Sequence, residues 1–231
     1  MPTVRKREHL SYLSGYVLII PGFIDTHCMK GKLITLEGID GSGKSTIWRL
    51  LQDDTRFSQC VFTREPTTSW LGDAVNRALR SDTDHIAELM LFLADHADHI
   101  SRLVRPSLEN GSHVISDRYS ASRCAYQGAT LQGLFEDPLD WVRALHKGWT
   151  IDPDLIVLFD IDPAVAVKRC GDRGEQSKFE KIEFLKTVRN NYLRLAAEDR
   201  RRFVVINAER PLNEVKDEVF EIIANALEGR K

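Results

Sequence analysis

From residue 33 onward the chain alternates short apolar runs with longer stretches in which apolar positions recur at helical spacing. The runs at 33–37, 60–63, 113–116, 155–160 and 203–206 are rich in Val, Ile, Leu and Phe and do not alternate with polar residues. Strands of that kind belong to a parallel sheet covered on both faces, since a solvated face would make every second position polar. Helical patterns fill the intervals at 44–52, 71–79, 84–108, 119–130, 163–170, 179–197 and 211–227. In the longest of these, Ile86, Leu89, Met90, Leu93, Ala97, Ile100 and Val104 follow the i, i+3, i+4, i+7 spacing of one buried face. An amphipathic segment after Pro138 carries Trp141 and Trp149, which read as packing residues. The alternation predicts an α/β fold: a doubly wound, parallel, five-stranded sheet with flanking helices.

Two segments depart from this rhythm. Residues 170–178 hold two glycines, several charges and almost nothing apolar, which predicts an exposed loop between helices, with a lid at about 170–180. Residues 1–28 carry a basic cluster, Arg5 to Arg7, ahead of the apolar run 16–20, a faint likeness to a secretory leader. Glu8, His9, Ser14 and Gly15 interrupt it, and no small-residue cleavage site follows. Met29 precedes Lys-Gly-Lys and the first strong strand, so the expectation is an N-terminal extension over 1–28, with Met29 a candidate natural start, and one domain over 29–231.

At 231 residues, with 42% hydrophobic and 29% charged residues, the chain has material for one sizeable core and is unlike disordered, collagenous or membrane chains. No apolar run reaches the roughly 20 residues that a membrane span needs, so no membrane partner is expected. The formal net charge of −2 does not suggest a nucleic-acid binder, and any positive charge that matters must be local. Four cysteines without a Cys-x-x-Cys pair point away from a zinc ribbon or disulfide framework and toward a reducing cytoplasm.

The strand at 33–37 runs directly into Gly38-Ile39-Asp40-Gly41-Ser42-Gly43-Lys44-Ser45, followed by Thr46 and a helical pattern. This is G-x-x-x-x-G-K-[ST] in its required strand, loop, helix context. The glycines allow successive backbone N–H groups to turn inward as an anion nest at a helix N-terminus, Lys44 reaches β- and γ-phosphates, and Ser45 is placed to ligate Mg²⁺. None of the seven Asn residues precedes a Lys, so the guanine-reading Asn-Lys-x-Asp signature is absent.

Three further segments fall where open α/β sheets build their sites, at or near strand ends. Thr63-Arg64-Glu65-Pro66 follows the second strand, Ser116-Asp117-Arg118-Tyr119 the third, and the helix between them carries Leu91-Phe92-Leu93-Ala94-Asp95-His96. Arg64 and Arg118 offer planar forks for an acceptor phosphate. Asp117 ends a strand and is placed to hold Mg²⁺ or its waters. Phe92 and His96 are four residues apart on one helix face, an aromatic and a polar group suited to a stacked nucleobase. Asp95, His96, Asp98 and His99 also crowd this helix, but their spacing is a weak metal signature.

With these motifs the chain resembles the thymidylate kinase family across residues 32–228, on LEGIDGSGKST, TREP, LFLAD, SDRYSASRCAYQG and DRGEQSKFE. The resemblance implies transfer of the ATP γ-phosphoryl group to dTMP with Mg²⁺, and a homodimer using the helix at 84–108. It implies that Asp40 contacts the deoxyribose 3′-OH and the acceptor-phosphate region, that Arg64 and Arg118 clamp the dTMP phosphate, and that Phe92 stacks on thymine. Ser122 and Gln127 fall where the family hydrogen-bonds the base, Tyr126 where a ring crowds the 2′ position, and Arg169 where a residue stacks on adenine. The phosphate loop holds no Arg, whereas the segment after Arg169 offers Arg173 and Lys178, so the charge that closes over the phosphates is expected from Arg173 on the lid.

Two positions differ from the common pattern. Lys178 stands where a second lid Arg is usual and can act only as a point charge. His96 stands where many members have an Arg that helps read thymine O4, so the base must be read by another group or less strictly. The alternatives are a kinase for another nucleoside monophosphate such as dUMP, or a nucleotide-binding regulatory module without turnover.

Overall fold

All five apolar runs form strands: β1 (Leu33–Glu37), β2 (Val61–Arg64), β3 (Val114–Asp117), β4 (Leu155–Asp160) and β5 (Phe203–Asn207). They make one parallel sheet in the order β2-β3-β1-β4-β5. The computed structural model describes residues 30–171 and 175–229, with side chains left undescribed over 172–180. The expectations for residues 1–29, for Arg173 and for the Lys178 side chain lie outside the described residues.

The central strand, β1, is buried at all five positions, and β3 at all four, which is why neither shows alternation. β2 and β3 lie to one side of β1 and β4 and β5 to the other, so the direction of winding changes at β1. Ligands bind at such switch points, beyond the carboxyl ends of the strands. The register sets Leu36 beside Asp117 and Asp117 beside Arg64, lining up the three strand ends that carry the candidate chemistry.

The helices are α1 (Lys44–Asp53), α2 (Trp70–Ala78), α3 (His85–His99), α4 (Arg105–Glu109), α5 (Ser120–Thr130), α6 (Pro138–Leu145), α7 (Pro163–Cys170), α8 (Glu175–Glu198) and α9 (Leu212–Glu228). Local chemistry starts several of them. Ser69 accepts from the N–H groups of Leu71 and Gly72, Asp84 from those of Ile86 and Ala87, and Asp162 from that of Ala164. α3 and α4 are one continuous rod joined by the π-helical stretch Ile100–Val104, in which the Arg105 N–H reaches back to the Ile100 carbonyl. Pro106 follows at once, and its missing N–H accounts for the interruption at that point.

The predicted apolar stripe of α3 is corrected by the structure. Leu89, Ile100 and Val104 are buried and Leu93 is half-buried, but Ile86, Met90 and Ala97 are exposed. In their place the helix buries Asp95, His96 and His99. Polar groups can replace apolar ones inside only when they are paired, and each of these is. Asp95 accepts from the Thr67 N–H at 2.9 Å, while His96 and His99 face Glu65, which follows β2. Trp149 lies 5.3 Å from the His96 ring, and Trp141 stacks on Phe135 at 4.1 Å, so both tryptophans are packing residues.

Candidate active site

The chain leaves β1 through a loop whose shape depends on glycine. Gly38, Gly41 and Gly43 have φ of 141°, 85° and 87°, values that side chains rarely tolerate. A Cβ at Gly38 would stand 2.7 Å from the Phe159 carbonyl oxygen, and one at Gly41 would stand 2.4 Å from that of Ala166. The loop is thus pressed against β4 and α7, with Ile39 anchored in the core, and hands over to the N-terminus of α1. Lys44 is buried there, its Nζ 3.4 Å from Asp117 Oδ1. Burial and the nearby Arg118 together hold its pKa below the ordinary value against the pull of Asp117 and Asp40. The next residue, Ser45, donates from Oγ to Asp117 Oδ2 at 2.7 Å. Asp117 Oδ1 and Ser42 Oγ are buried with no hydrogen-bond partner among the described residues.

This pairing fits Mg²⁺. A hydroxyl and a carboxylate in contact are the hard oxygen donors that ion takes, and it completes its shell with phosphate and water rather than with an all-protein cage. No group of three His, Cys, Asp or Glu that could hold a metal occurs among the described residues. His96 and His99 spend their Nδ1 atoms on Glu65 instead, both on Oε1, at 2.8 and 2.7 Å.

Beside the loop lies a cavity of about 280 Å³. Six of the predicted residues line it: Asp40, Phe92, Arg118, Ser122, Tyr126 and Gln127. Arg118 organises one end. Its backbone is left-handed, φ 73°, the one such non-glycine residue among those described. Its side chain lies beyond the carboxyl ends of β1 and β3, between the phosphate loop and α5. Nη2 donates to Asp40 Oδ1 at 2.6 Å and Nη1 to the Gly38 carbonyl at 3.2 Å and Ser122 Oγ at 3.1 Å. The Tyr126 ring lies under the guanidinium at 4.9 Å, and its hydroxyl accepts from the Asp40 N–H at 3.1 Å. Partial loss of water beside the loop would raise the Asp40 carboxyl, but Arg118 and Lys44 outweigh it and hold it below its ordinary value, although the side chain stays largely open to solvent.

Glu37, the last residue of β1, is buried behind this end. Its Oε2 accepts from Ser122 Oγ at 2.5 Å and from the Tyr192 hydroxyl at 3.2 Å. Burial dominates and pushes its carboxyl up to about 7, despite Ser122, Arg118 and Lys44.

Three cavity-lining residues carry chemistry that sequence reasoning did not single out: Glu65, Tyr119 and Arg123. Glu65 is a buried hub. Its Oε1 takes both histidines and its Oε2 takes Arg123 Nη1. Burial would raise this carboxyl, but Arg123 and His96 outweigh it and hold it well below the usual range. Both Glu65 and Arg123 sit inside motifs legible in the sequence, TREP and SDRYSASRCAYQG, and that membership was the available signal.

Three predicted residues lie elsewhere. His96 is fully buried, does not line the cavity, and is pushed down to about 4 by burial and by Arg123, so it is neutral near pH 7. Arg64 is exposed on a separate groove of about 480 Å³ with Thr67, Asp98 and Arg102. Arg169 is exposed at the end of α7 and donates to the carbonyls of Ala208 at 2.9 Å and Glu209 at 3.4 Å.

The family model described as thymidylate kinase matches residues 36–219. A probable thymidylate kinase of Methanococcoides burtonii is 63% identical over 201 residues, covering 87% of this chain and 100% of its own length. One of Methanosarcina mazei is 60% identical over 203 residues, covering 87% and 98%. One of Natronomonas pharaonis is 47% identical over 196 residues, covering 84% and 98%.

Proposed function

The chain belongs to the thymidylate kinase family, and from that premise we infer that it transfers the γ-phosphoryl group of ATP to dTMP, giving dTDP and ADP. The observation that carries this reading is the placement of Arg118. It donates to both the phosphate loop, at Gly38 and Asp40, and the cavity wall, at Ser122. A donor phosphate on the loop and an acceptor phosphate in the cavity would therefore meet at one guanidinium.

The chemistry asks little of covalent catalysis. The acceptor is already a phosphate anion, so no strong base is needed, and the task is to align two anions that repel and to offset the charge developing between them. The loop's N–H groups at Gly38–Ser45 and Thr46 cradle the donor, and Lys44 serves its outer phosphates. Ser45 and Asp117 would hold Mg²⁺, which when bound offsets phosphate charge. Arg118 takes the acceptor phosphate, and Asp40 orients Arg118 and the sugar; Arg64, which faces the neighbouring groove, would add its charge by turning toward the cavity. Phe92 stacks on the base, Ser122 and Gln127 contact it, and Tyr126 crowds the 2′ position. Arg169 backs the adenine. Arg173 supplies the closing charge, on the strength of the sequence motif.

A homodimer is supported by α3, where Ile86, Met90, Ala94 and Ala97 form one exposed small and apolar face. No helix of the described residues is long and apolar enough to cross a membrane; a cytoplasmic location is the reading that fits a nucleotide-pool enzyme.

A coupled ADP-release assay against dTMP, dUMP, dGMP, AMP and thymidine tests the function. Preference for dTMP by kcat/KM supports it. ATP binding without release for any acceptor would overturn it in favour of an inert nucleotide-binding module.

A further inference from the structure

Arg123 is 3% exposed and yet lines the acceptor cavity. Two arms of its guanidinium are fixed from behind. Nη1 donates to Glu65 Oε2, and Nε donates to His146 Nε2 at 3.0 Å. The His146 tautomer is set by its own Nδ1–H, which donates to the Val142 carbonyl at 2.9 Å and leaves Nε2 free to accept. The third arm, Nη2, is buried with no hydrogen-bond partner among the described residues. A charged donor inside a protein is costly to leave unpaired, and a planar fork pinned at two points cannot swing out to water. A ligand in the cavity is the partner at hand.

Position says what kind of ligand group. On α5, Ser122 and Tyr126 are one turn apart and turn toward Asp40 and Arg118. Arg123 and Gln127, the next residues on, make the adjacent face. Gln127 Nε2 meets Glu88 Oε1 of α3 at 3.4 Å, and Phe92 of α3 lines the same cavity one turn further along. The cavity thus has a phosphate end at Arg118 and a second end at Phe92, Arg123 and Gln127. The charge of Arg123 is already balanced by Glu65, so its free arm suits a neutral acceptor rather than an anion.

We propose that Arg123 is the specificity-determining residue for the base, donating from Nη2 to the 4-carbonyl oxygen of the acceptor pyrimidine. A guanidinium only donates. It therefore takes a base with an oxygen at C4, thymine or uracil, and refuses cytosine, whose 4-amino group is itself a donor. His96, one shell behind on Glu65, acts as a positioning residue and touches no substrate. This proposal rests on dTMP being the acceptor.

The test compares kcat/KM for dTMP, for dCMP and for the 2-pyrimidinone deoxyribonucleotide that lacks O4, in the wild type, in Arg123→Lys and in the Glu65→Gln/Arg123→Met double variant. The wild type is expected to prefer dTMP over both other substrates by roughly 10²-fold or more, since a buried donor built for a partner penalises its absence. Arg123→Lys keeps a cation for Glu65 but cannot hold it and reach O4 together; the double variant removes donor and buried charge at once. Each is expected to narrow the preference to about tenfold or less, with the KM for ATP unchanged. A wild type that uses the O4-lacking analogue as well as dTMP would overturn the proposal without any variant, and so would a folded variant that keeps the full preference. Phosphorylation of no pyrimidine monophosphate by the wild type would instead overturn the dTMP reading itself.

Discussion

Asp40 of the phosphate loop and Arg118 at the end of β3 are joined by a hydrogen bond of 2.6 Å, so the loop that receives the donor also positions the arginine assigned to the acceptor. The Asp40 side chain is 60% exposed, and an ion pair of that exposure adds little to stability. Asp40→Asn is therefore expected to lower kcat/KM for dTMP by roughly 10- to 100-fold while moving the melting temperature by no more than a few degrees. Steady-state kinetics with thermal melts check this. Unaltered kinetics alongside a large loss of stability would show that the contact is structural.

Arg173→Ala is expected to lower kcat by roughly 10²-fold or more while the KM for dTMP moves far less. The phosphate loop holds no arginine to supply the charge, and a group that acts mainly on the transition state shows in kcat. Initial-rate kinetics over both substrates decide; a raised KM with normal kcat would reassign Arg173 to ground-state binding.

Glu37 makes stability fall as pH rises. Its carboxyl is at about 7 when folded against 4.5 when exposed. Between those values the folded chain holds a proton that the unfolded chain has lost, which destabilises the fold by up to roughly 3 kcal/mol by pH 8. Glu37→Gln, neutral throughout, is expected to be more resistant to urea than the wild type at pH 8 and to lose that advantage near pH 4.5. Urea midpoints at the two pH values measure it, and equal differences at both would contradict the assignment.

The buried histidines act in the opposite sense. His96 and His146 are held down to about 4 and about 3 against an ordinary 6.5, chiefly by burial and then by Arg123. Unfolding below pH 6.5 therefore takes up protons, and the stability these residues contribute is lost as pH falls toward 4 and then 3. His96→Gln is expected to reduce proton uptake on unfolding at pH 5 by about one, read from calorimetry in buffers of different ionisation enthalpy. Uptake equal to that of the wild type would mean that His96 titrates normally.

What could be read from the sequence was what is local. β1 and β4 were placed to the residue, because apolar runs buried on both sides carry their own signal, and the phosphate loop was readable because its parts are contiguous. The face of α3 departs from its periodicity for a tertiary reason: Ile86 and Met90 follow the helical repeat as well as Leu89 does, but Glu65, distant in sequence, supplies the partner that draws His96 and His99 inside. Periodicity has no means of marking a buried polar residue whose partner lies on another element. The role of Arg123 is hidden from the sequence for the same reason. Its side chain is defined by Glu65 and by His146 of the segment after α6, neither of them near it in the chain.

The order β2-β3-β1-β4-β5 also sets a schedule for the chain as it is made. β1 carries the phosphate loop, yet both of its neighbours come later: β3 at Val114–Asp117 and β4 at Leu155–Asp160. β2, made next, pairs only with β3. No two strands can therefore join until β3 has been synthesised, and the glycine loop lacks β4 and α7, against which it presses, until the chain has passed Ala166. Ser45 and Asp117, the two groups assigned to the metal, come together only once β1 and β3 have paired, so nucleotide binding begins as a property of the assembled sheet rather than of the nascent motif.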